Sequence, residues 1–365
     1  MNYDKKYKIL LTGGGTGGSV TPLLAVAEEL NNPPCRGDNR PLDKGGWGDF
    51  EFLWLGTKFG PEKGMVEKAG IEFKAISGGK WRRYFSLENL IDLIKIKIGF
   101  WQALFVMIKS RPDLVISAGS FISVPVVWAA WALRVPVLIH QQDIIAGLAN
   151  KLMAPFAKII TVTFESSLKD YGKRAVWIGN PIRRELKINS LKTHNHLPVV
   201  LIIGGGTGAM AINKLVEDSL SELTKFCQII HITGKEKSIS NNEITNYKKY
   251  EFLNVEKMVE VLHKADLVIT RAGLGFLSEL SYLGKPSIII PIPDSHQEAN
   301  AAFFRNKKAA ITAKQKYLTA ENFTHMVKDL LADEKMLTNL SVNMAQAMKK
   351  GANQEMVKII KSLLK

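Results

Sequence analysis

The sequence of 365 residues contains few cysteines and lacks the motifs of several common protein classes. Its two cysteines, Cys35 and Cys227, belong to no metal-binding or redox motif, so we expect free thiols in a reducing compartment. Acidic residues are outnumbered 34 to 49 by lysine and arginine, and the net charge of +15 favours anionic partners. Zinc-finger spacing and dense basic blocks are absent, so nucleic acid is a weaker candidate for the anionic partner than phosphates or an acidic membrane surface.

The chain also lacks an uninterrupted hydrophobic run long enough to suggest a transmembrane helix. Its most apolar stretch, Leu114–Ile139, is broken by glycine, two prolines and an arginine, and is expected to form strand, loop, helix and strand. The N-terminus enters its first predicted strand within ten residues, so we expect no signal peptide.

Two stretches carry nearly the same glycine-rich turn. Residues 8–18 read KILLTGGGTGG and residues 199–209 read VVLIIGGGTGA, and each follows β-forming residues and precedes a predicted helix. Glycines let a phosphate approach the backbone, and a helix N-terminus offers unpaired N–H groups. The repeat predicts two similar nucleotide-binding-type domains facing one central cleft, as in a transferase with a diphosphate donor. The alternative is that either turn serves packing only.

Both turns fit the dinucleotide pattern G-x-G-x-x-G/A, but the strands that follow them argue against a dehydrogenase. NAD-binding domains place an acidic residue at the end of the second strand, where it holds the ribose. Here the second strands run into Gly56-Thr57-Lys58 and Gly234-Lys235. The turns therefore favour phosphate binding without NAD.

Strand-like runs alternate with helical ones along the chain, and their lack of polar alternation is typical of buried parallel strands. The pattern predicts an α/β protein of two Rossmann-like doubly wound domains, residues 1–184 and 198–344, joined by a polar linker, Glu185–Pro198. A final helix, about Ala345–Leu364 within residues 345–365, is expected to return to the first domain, and Asn31–Asp49 to form a mobile surface loop. The predicted strands are Lys8–Thr12, Glu51–Leu55, Leu114–Ser117, Val135–His140, Ile159–Thr163, Val199–Ile203, Gln228–Thr233, Leu267–Thr270 and Ser287–Pro291.

The most specific signal lies in residues 265–304. A strand ends at Arg271-Ala272-Gly273, a helix begins near Leu274–Gly275, and Glu279 follows about one turn later. A carboxylate there can accept both hydroxyls of a ribose while the helix N-terminus faces a phosphate. Further on, His296, Gln297, Glu298 and Asn300 can bind sugar hydroxyls. The alternatives are a solvated helix carboxylate and a polar helix N-cap.

Several motifs, taken in order, make almost the whole chain similar to the MurG family. That resemblance implies the GT-B fold and transfer of N-acetylglucosamine (GlcNAc) from UDP-GlcNAc to a lipid-linked muramyl-pentapeptide, without a cofactor or metal. It also implies a peripheral protein on the cytoplasmic side of the cell membrane. The motifs are GGGTGGSVTPLLAVA (13–27), WLGTKFGPEKGMVEKAGI (54–71), GGKWRRYFSLEN (78–89), the segment from Ser117 through HQQD (140–143) to AGLANKL (146–152), GNPIR (179–183), GGGTGA (204–209) and the 265–304 block.

The resemblance also implies roles for individual residues. Three residues of the first turn would border the diphosphate, two others would face the donor phosphates, and a run after the 267–270 strand would hold the nucleotide. Glu279 would bind the ribose, Leu253 the uracil through its backbone, and Gln297 the GlcNAc hydroxyls. The remaining implied positions are Thr16, Gly17 and Gly18 at the diphosphate, Arg183 and Gly206 at the donor phosphates, and Leu274, Gly275, Phe276, Leu277 and Ser278 at the nucleotide.

The chain departs from the family's pattern where a general base would lie. The first loop of relatives usually ends in His, where this chain has Ser19, and their His-Glu-Gln-Asn is here His140-Gln141-Gln142-Asp143. The donor loop carries Gly206-Thr207 in place of a Ser-Gln pair. A serine is not a base unaided at neutral pH.

We therefore expect Asp143, or else His140, to remove the acceptor proton, with Ser19 and Asp143 contacting the acceptor. The alternatives are a hydrogen-bonded structural histidine and a helix N-cap aspartate. No Asp-x-Asp motif occurs, so a route without metal is favoured, with Arg183, helix N-termini and backbone amides holding the diphosphate.

A basic-aromatic segment suggests contact with an anionic bilayer. Lys80, Arg82 and Arg83 lie beside three aromatic residues, and a predicted helix, Leu87–Lys109, follows. Its polar positions Glu88, Asp92, Lys95 and Gln102 recur at helical spacing and leave a wide apolar remainder that includes Phe100, Trp101 and Phe105. The alternative is a well-buried core helix.

Two other functions stay open at the level of sequence. One is another UDP-sugar enzyme of the same fold, either a different lipid glycosyltransferase or a UDP-GlcNAc 2-epimerase, although the motifs at 78–89 and 140–152 disfavour the epimerase. The other is a non-catalytic UDP-sugar-binding protein, which the residues Ser19 and Gln141 suggest.

Overall fold

The computed structural model describes residues 6–15, 17–31, 50–79, 87–187, 197–204, 209–234 and 244–364. The chain divides into two compact units, of which the first comprises Met1–Arg183 with Lys349–Lys365 and the second comprises Arg184–Met348. The chain therefore leaves the first unit once and returns to it at the C-terminus.

A seven-stranded parallel sheet forms the centre of the first unit, in the order β3-β2-β1-β4-β5-β6-β7. The order reverses at the β1–β4 pair, so the carboxyl ends of these two strands mark the point where ligands bind in doubly wound sheets. The strands are β1 (Tyr7–Thr12), β2 (Phe50–Gly56), β3 (Glu72–Ala75), β4 (Leu114–Ser117), β5 (Val137–Gln141), β6 (Ile159–Val162) and β7 (Ala175–Trp177).

Helices cover both faces of this sheet, which explains why its central strands are apolar throughout. One core packs α1, α2 and α13 on the sheet, and the other packs α3, α4 and α5. Met356 and Ile360 of α13 are fully buried in the first of these cores. The helices are α1 (Thr21–Asn31), α2 (Glu62–Lys68), α3 (Leu87–Ser110), α4 (Ser123–Ala132), α5 (Leu148–Met153), α6 (Leu168–Tyr171) and the C-terminal α13 (Ala352–Leu363).

The second unit repeats the arrangement with six parallel strands in the order β10-β9-β8-β11-β12-β13. Its order reverses at the β8–β11 pair, and α7 and α11 pack on one face. The strands are β8 (Val199–Ile203), β9 (Gln228–Ile232), β10 (Tyr247–Tyr250), β11 (Leu267–Thr270), β12 (Ser287–Ile289) and β13 (Ile311–Thr312). The helices are α7 (Met210–Leu223), α8 (Val255–Lys264), α9 (Leu274–Leu283), α10 (Gln297–Asn306), α11 (Ala320–Ala332) and α12 (Glu334–Ala347).

The fold confirms two Rossmann-like parallel sheets, and all nine predicted strands are present with ends within two residues of the prediction. The predicted final helix is wrong at its start. It begins at Ala352, because Met348 is extended and Gly351 adopts a left-handed φ of 86°, and residues 345–347 end α12 instead.

Some sequence predictions concern residues that the structure does not describe. Residues 32–49 of the expected surface loop and residues 188–196 of the expected linker lie outside the described part, as do Cys35 and Lys80, Arg82 and Arg83. The other cysteine, Cys227, is a buried free thiol. Within the described ranges, no helix is both long and apolar enough to cross a bilayer.

Candidate active site

The first glycine turn follows β1 at the carboxyl edge of the first sheet. The Trp54 indole Nε1 donates to the Gly13 carbonyl oxygen at 3.0 Å, and the Ser19 hydroxyl donates to the Gly14 carbonyl oxygen at 3.4 Å. Ser19 is buried and closes the turn from inside, whereas Gly17 and Gly18 are partly exposed. Gly15 is partly exposed as well, and Thr16 lies outside the described residues.

Glu62, at the start of α2, holds the same turn from the side of β2. Its Oε2 accepts the Gly15 N–H at 3.1 Å, and its Oε1 accepts the Thr57 N–H at 2.8 Å and the Thr57 hydroxyl. The side chain is fully buried. Sequence reasoning missed this residue, because a glutamate in the polar segment FGPEKG carries no sign of burial.

His140 lies fully buried at the end of β5, with both ring nitrogens hydrogen-bonded. Its Nε2 is 2.8 Å from the Asn180 Oδ1, and its Nδ1 is 3.0 Å from the Thr161 Oγ1. An amide oxygen only accepts, so Nε2 carries the proton and Nδ1 is the ring nitrogen without one. Burial lowers the pKa of His140 to about 4. This geometry is that of the hydrogen-bonded structural histidine that the sequence left as an alternative.

Gln141 anchors the loop that follows β5. Its Nε2 donates to the Asp143 carbonyl oxygen at 2.7 Å and to that of Ile145 at 3.4 Å, and its Oε1 accepts from Asn150 Nδ2. The Tyr171 hydroxyl also donates to this oxygen, at 3.0 Å. An amide donates to the carbonyls and accepts from the hydroxyl and the amide at once, whereas an ionised carboxylate only accepts and would not fulfil this role.

Asp143 lies half-buried on that loop, beside the first glycine turn. Gln142 connects the two, because its Nε2 donates to the Gly18 carbonyl oxygen at 2.9 Å. Helix α5 begins later and has Gly147 at its N-cap position, so Asp143 does not cap α5. The structure thus brings Gly17, Gly18 and Ser19 to the same edge of the sheet as the loop of Asp143.

Arg183 is half-buried at the end of the first unit, next to a residue that α13 holds. The Asn353 side chain donates to the Ile182 carbonyl oxygen at 2.9 Å and accepts the Ile182 N–H at 3.1 Å. This pair of bonds fixes the backbone that carries Arg183. Position 183 is therefore set by the C-terminal helix, which the spacing of the sequence could not reveal.

In the second unit, α9 begins shortly after β11 with backbone N–H groups that have no partner within the helix. Gly273 occupies the N-cap position and makes no side-chain cap, so the N–H groups of Leu274, Gly275 and Phe276 have no acceptor within the helix. The Leu277 N–H already bonds to the Gly273 carbonyl oxygen at 3.0 Å, and the Ser278 hydroxyl donates to that of Leu274 at 2.6 Å. Within the predicted run, the first three amides are thus the groups suited to an anion.

Glu279 is only 1% exposed, so it is not a solvated helix carboxylate. Glu279 lies one turn after Gly275, and helix side chains lean toward the helix N-terminus. Its carboxylate is therefore placed near Gly275, which has no side chain. Contact between this carboxylate and a ribose requires a side-chain rearrangement. Leu277 is fully buried, so its side chain belongs to the core.

The predicted sugar-binding cluster after β12 divides into two roles. The Gln297 Oε1 accepts the backbone N–H groups of Ala272 and Ile292, both at 3.2 Å, which leaves Nε2 as the end able to donate to a sugar hydroxyl. Asn300 is fully buried and donates to the Ala272 carbonyl oxygen at 3.1 Å. Gln297 thus remains suited to ligand binding, whereas Asn300 holds the start of α9.

Arg271 is a second residue that the sequence did not single out. It is buried, and its guanidinium donates to the carbonyl oxygens of Ile290 and Pro291 at 3.0 and 3.1 Å and to the Gln315 Oε1 at 2.6 Å. It therefore joins the loops that follow β11, β12 and β13, and burial lowers its pKa. A basic residue directly after a buried parallel strand was the signal that could have identified it.

The remaining predicted donor residues are Leu253 and Gly206. Leu253 is buried just before α8, where the Asn254 side chain caps the helix by accepting the Lys257 N–H at 2.9 Å. Gly206 lies outside the described residues. Among the residues that are described, no group of three or more His, Cys, Asp or Glu side chains is placed to hold a metal ion.

Helix α3 packs Ala103 and Met107 into the core of the first unit but leaves a row of large apolar side chains exposed. Asp92 is buried, and the Gln102 Oε1 accepts the Ser77 N–H at 2.7 Å, whereas Trp101 and Phe105 are 66% and 71% exposed. The helix is therefore not the buried core helix that the sequence left as an alternative. We call its exposed apolar residues at spacings of three and four the α3 stripe: Leu90, Ile94, Ile98, Trp101, Phe105 and Ile108.

Comparisons with known proteins place this geometry in a family context. Residues 42–162 match the Glycosyltransferase family 28 N-terminal domain, and residues 199–361 match the Glycosyltransferase family 28 C-terminal domain. A protein of Clostridium kluyveri named UDP-N-acetylglucosamine–N-acetylmuramyl-(pentapeptide) pyrophosphoryl-undecaprenol N-acetylglucosamine transferase is 38% identical over 88% of this chain and 91% of its own length. A protein of Clostridium botulinum with the same name is 36% identical over 98% of this chain and 99% of its own.

A solved structure shows the same fold. The crystal structure of Acinetobacter baumannii MurG superposes with a TM-score of 0.71, covering 98% of this chain and 99% of its own, at 24% identity.

Proposed function

The chain belongs to the MurG family of glycosyltransferases, and we propose that it transfers GlcNAc from UDP-GlcNAc to an undecaprenyl-diphosphate-linked muramyl-pentapeptide. The observation that carries this proposal is the similarity to transferases of that name over nearly the full length. In the reaction, an acceptor hydroxyl forms a bond to the anomeric carbon while the bond from that carbon to UDP breaks, with inversion. The hydroxyl proton passes to a base, and UDP departs with the electron pair.

The donor would bind the second unit at the start of α9. The N–H groups of Leu274, Gly275 and Phe276 are suited to the diphosphate. Glu279 would accept the ribose hydroxyls after its side chain rearranges. The Gln297 Nε2 would donate to a GlcNAc hydroxyl, and the Leu253 backbone would meet the uracil.

Proton removal is assigned to Asp143. Asp143 is half-buried on a loop that Gln142 ties to Gly18, and the acceptor would bind at Gly17 and Gly18 together with Thr16. His140 is assigned a supporting role, because its accepting nitrogen faces Thr161 inside the core. Ser19 would support the turn and thereby position the acceptor.

The lipid anchor of the acceptor requires the enzyme to meet a membrane surface, and the α3 stripe is the surface we assign to it. Exposed aromatic and aliphatic side chains insert among headgroups, and lysines beside them are attracted to anionic lipids. Lys95, Lys97 and Lys109 are exposed on the same helix. The protein would therefore be peripheral on the cytoplasmic side of the cell membrane, with an anionic bilayer as the occupant of the stripe.

A single-turnover assay with radiolabelled UDP-GlcNAc and a lipid-linked muramyl-peptide analogue tests the function. We expect label to move to the lipid product only when the acceptor is present, with one UDP released for each transfer. Conversion of UDP-GlcNAc to its 2-epimer without acceptor would instead identify an epimerase. Binding of UDP-GlcNAc without any turnover would identify a non-catalytic binding protein.

A further inference from the structure

The Glu62 carboxylate accepts one N–H of the first glycine turn, from Gly15, and two donors of Thr57, which follows β2. A turn of this kind holds an anion by pointing backbone N–H groups at it. Here the Gly15 N–H and the Thr57 N–H both point at one carboxylate, at 3.1 and 2.8 Å, and the Thr57 hydroxyl is a third donor. All three of these donors are neutral, so the negative charge of Glu62 is held by the same chemistry that would hold a phosphate.

The glycines around Glu62 leave the space that this carboxylate occupies. A Cβ atom on Gly14 or on Gly60 would collide with the carboxylate oxygens, and one on Gly56 would meet the Phe73 ring at 2.8 Å. Gly15 has a φ of +79°, a conformation that favours glycine and that directs its N–H toward Glu62. The glycine spacing that predicted a ligand site thus fits an internal ligand in this unit.

The other side of the turn is held as firmly, which leaves only its tip to meet a substrate. Trp54 fixes Gly13 and Gln142 fixes Gly18, at 3.0 and 2.9 Å. Gly15 is partly exposed but its N–H is engaged by Glu62, so among the described residues of the turn we take Gly17 and Gly18, which are also partly exposed, as the tip that meets a substrate. Glu62 therefore sets where that tip lies.

We propose that Glu62 is a positioning residue whose carboxylate fills the anion position of the first glycine turn and holds Gly17 and Gly18 in place for the acceptor. The proposal rests on the proposed function, in which the acceptor binds the first unit and the donor binds the second. It assigns the two similar turns different roles, because the first is closed by the protein's own anion.

The variant Glu62→Gln tests this with little change in shape. An amide offers one oxygen where the carboxylate offers two, so either the Gly15 or the Thr57 N–H would face an NH₂ group. Loss of a charge-assisted bond predicts a fall in kcat/KM for the acceptor of roughly tenfold or more, with KM for UDP-GlcNAc within about twofold of the parent. The matched control is Glu29→Gln, which changes another buried glutamate of the first unit, on α1, away from the turn. It should leave both kinetic constants unchanged.

A second variant, Glu62→Ala, tests whether the position binds an anion as such. Acetate should raise the melting temperature of this variant saturably and restore acceptor kcat/KM, whereas acetamide, of the same size but neutral, should do neither. Equal effects of acetate and acetamide, or parental acceptor kinetics in Glu62→Gln, would overturn the proposal. The melting experiment uses no substrate, so it decides the anion position even if the parent transfers no GlcNAc and the proposed function fails.

Discussion

Two titratable residues near the first glycine turn differ in what surrounds them. His140 is enclosed with both nitrogens bonded, whereas Asp143 lies half-buried on a loop that Gln141 and Gln142 hold. A general base must reach the acceptor hydroxyl, directly or through one water. The placement of the two residues therefore favours the carboxylate, although relatives of this chain usually carry a neutral asparagine there.

Asp143→Asn should slow the chemical step and leave donor binding intact. The amide keeps the size of the side chain but does not accept a proton at neutral pH, and general-base catalysis typically contributes roughly 10²–10⁴-fold. Single-turnover rates should fall by that factor, while calorimetry should give the parental affinity for UDP. A parental single-turnover rate under conditions where chemistry limits would remove Asp143 from this role.

His140→Gln should change the acid sensitivity of the fold more than the turnover. Burial lowers the pKa of His140 from 6.5 to about 4, so between these values the unfolded chain binds a proton that the folded chain does not. The contribution of His140 to the free energy of unfolding is therefore complete above pH 6.5 and is lost as the pH falls toward 4. Between pH 7 and pH 5 this loss is about 2 kcal/mol.

Glutamine can keep both hydrogen bonds but does not titrate. The free energy of unfolding of the variant should therefore fall by about 2 kcal/mol less than that of the parent between pH 7 and pH 5. Denaturant unfolding of parent and variant at pH 7 and pH 5 measures this difference. Single-turnover rates within a few-fold of the parent are expected at pH 7. Abolished transfer with intact UDP binding would instead make His140 the base.

Glu279→Ala should weaken UDP binding by roughly tenfold or more, since hydrogen bonds to a charged group contribute about 1.5–3 kcal/mol. Titration calorimetry with UDP measures the affinity. The same titration with inorganic pyrophosphate serves as the control. Pyrophosphate would engage the α9 amides without a ribose, so its affinity should be the same for the variant and the parent. Unchanged affinity for UDP would show that the carboxylate stays inside the core.

At the level of residues, the sequence predicts roles that depend on local pattern and does not record roles that depend on tertiary contact. Leu274 and Glu279 follow a strand and a turn, and that order alone indicated a nucleotide site. Glu62 and Gln141 act through segments far away along the chain, Gly15 and Tyr171 respectively. No periodicity or spacing records such a contact.

Among the secondary-structure elements, the strands that the sequence did not predict are the edges of the two sheets. They are β3 and β7 in the first sheet and β10 and β13 in the second. Strand β10 reads YKKY and β3 reads EFKA, because an edge strand is partly solvated and needs no apolar run. The inner strands are buried on both faces and therefore carry the signal that the pattern detects.

Helix α3 gives the element-scale prediction. Trp101→Ser with Phe105→Ser should reduce binding to anionic phosphatidylglycerol vesicles by at least roughly tenfold, since burying each large apolar side chain contributes about 1.5–3 kcal/mol. Both side chains are largely exposed, so thermal stability should stay parental. Co-sedimentation at fixed lipid concentration measures the binding.

The control for that experiment is Tyr317→Ser, which removes a 63% exposed aromatic side chain from the second unit. It should co-sediment like the parent. Raising the salt concentration should weaken the binding of the parent to the vesicles, because lysines near an anionic surface contribute about 1 kcal/mol each and salt screens this attraction. Equal co-sedimentation of the double variant and the parent would assign the stripe to another partner.

For the whole molecule, the main fact is that the first unit is built from two separate pieces of chain. Residues 349–365 return to it after the second unit is complete, and α13 supplies Met356 and Ile360 to its core. Asn353 then bonds to both backbone groups of Ile182, at the last residues before the chain enters the second unit. The end of the chain therefore stabilises the unit in which the chain begins.

Asn353→Ala should loosen the first unit and leave the second unchanged. The substitution leaves the buried Ile182 N–H and carbonyl without their partner, and each such loss costs about 1–3 kcal/mol. Hydrogen exchange read by peptide mass spectrometry should show faster exchange in β1, β4 and α13, with β8 and β11 at parental rates. The matched control is Asn343→Ala in the second unit, whose side chain donates to the Lys308 carbonyl oxygen at 3.0 Å on an exposed surface and should change exchange little. Faster exchange in both units of Asn353→Ala, or in neither, would show that this clamp does not stabilise the first unit selectively.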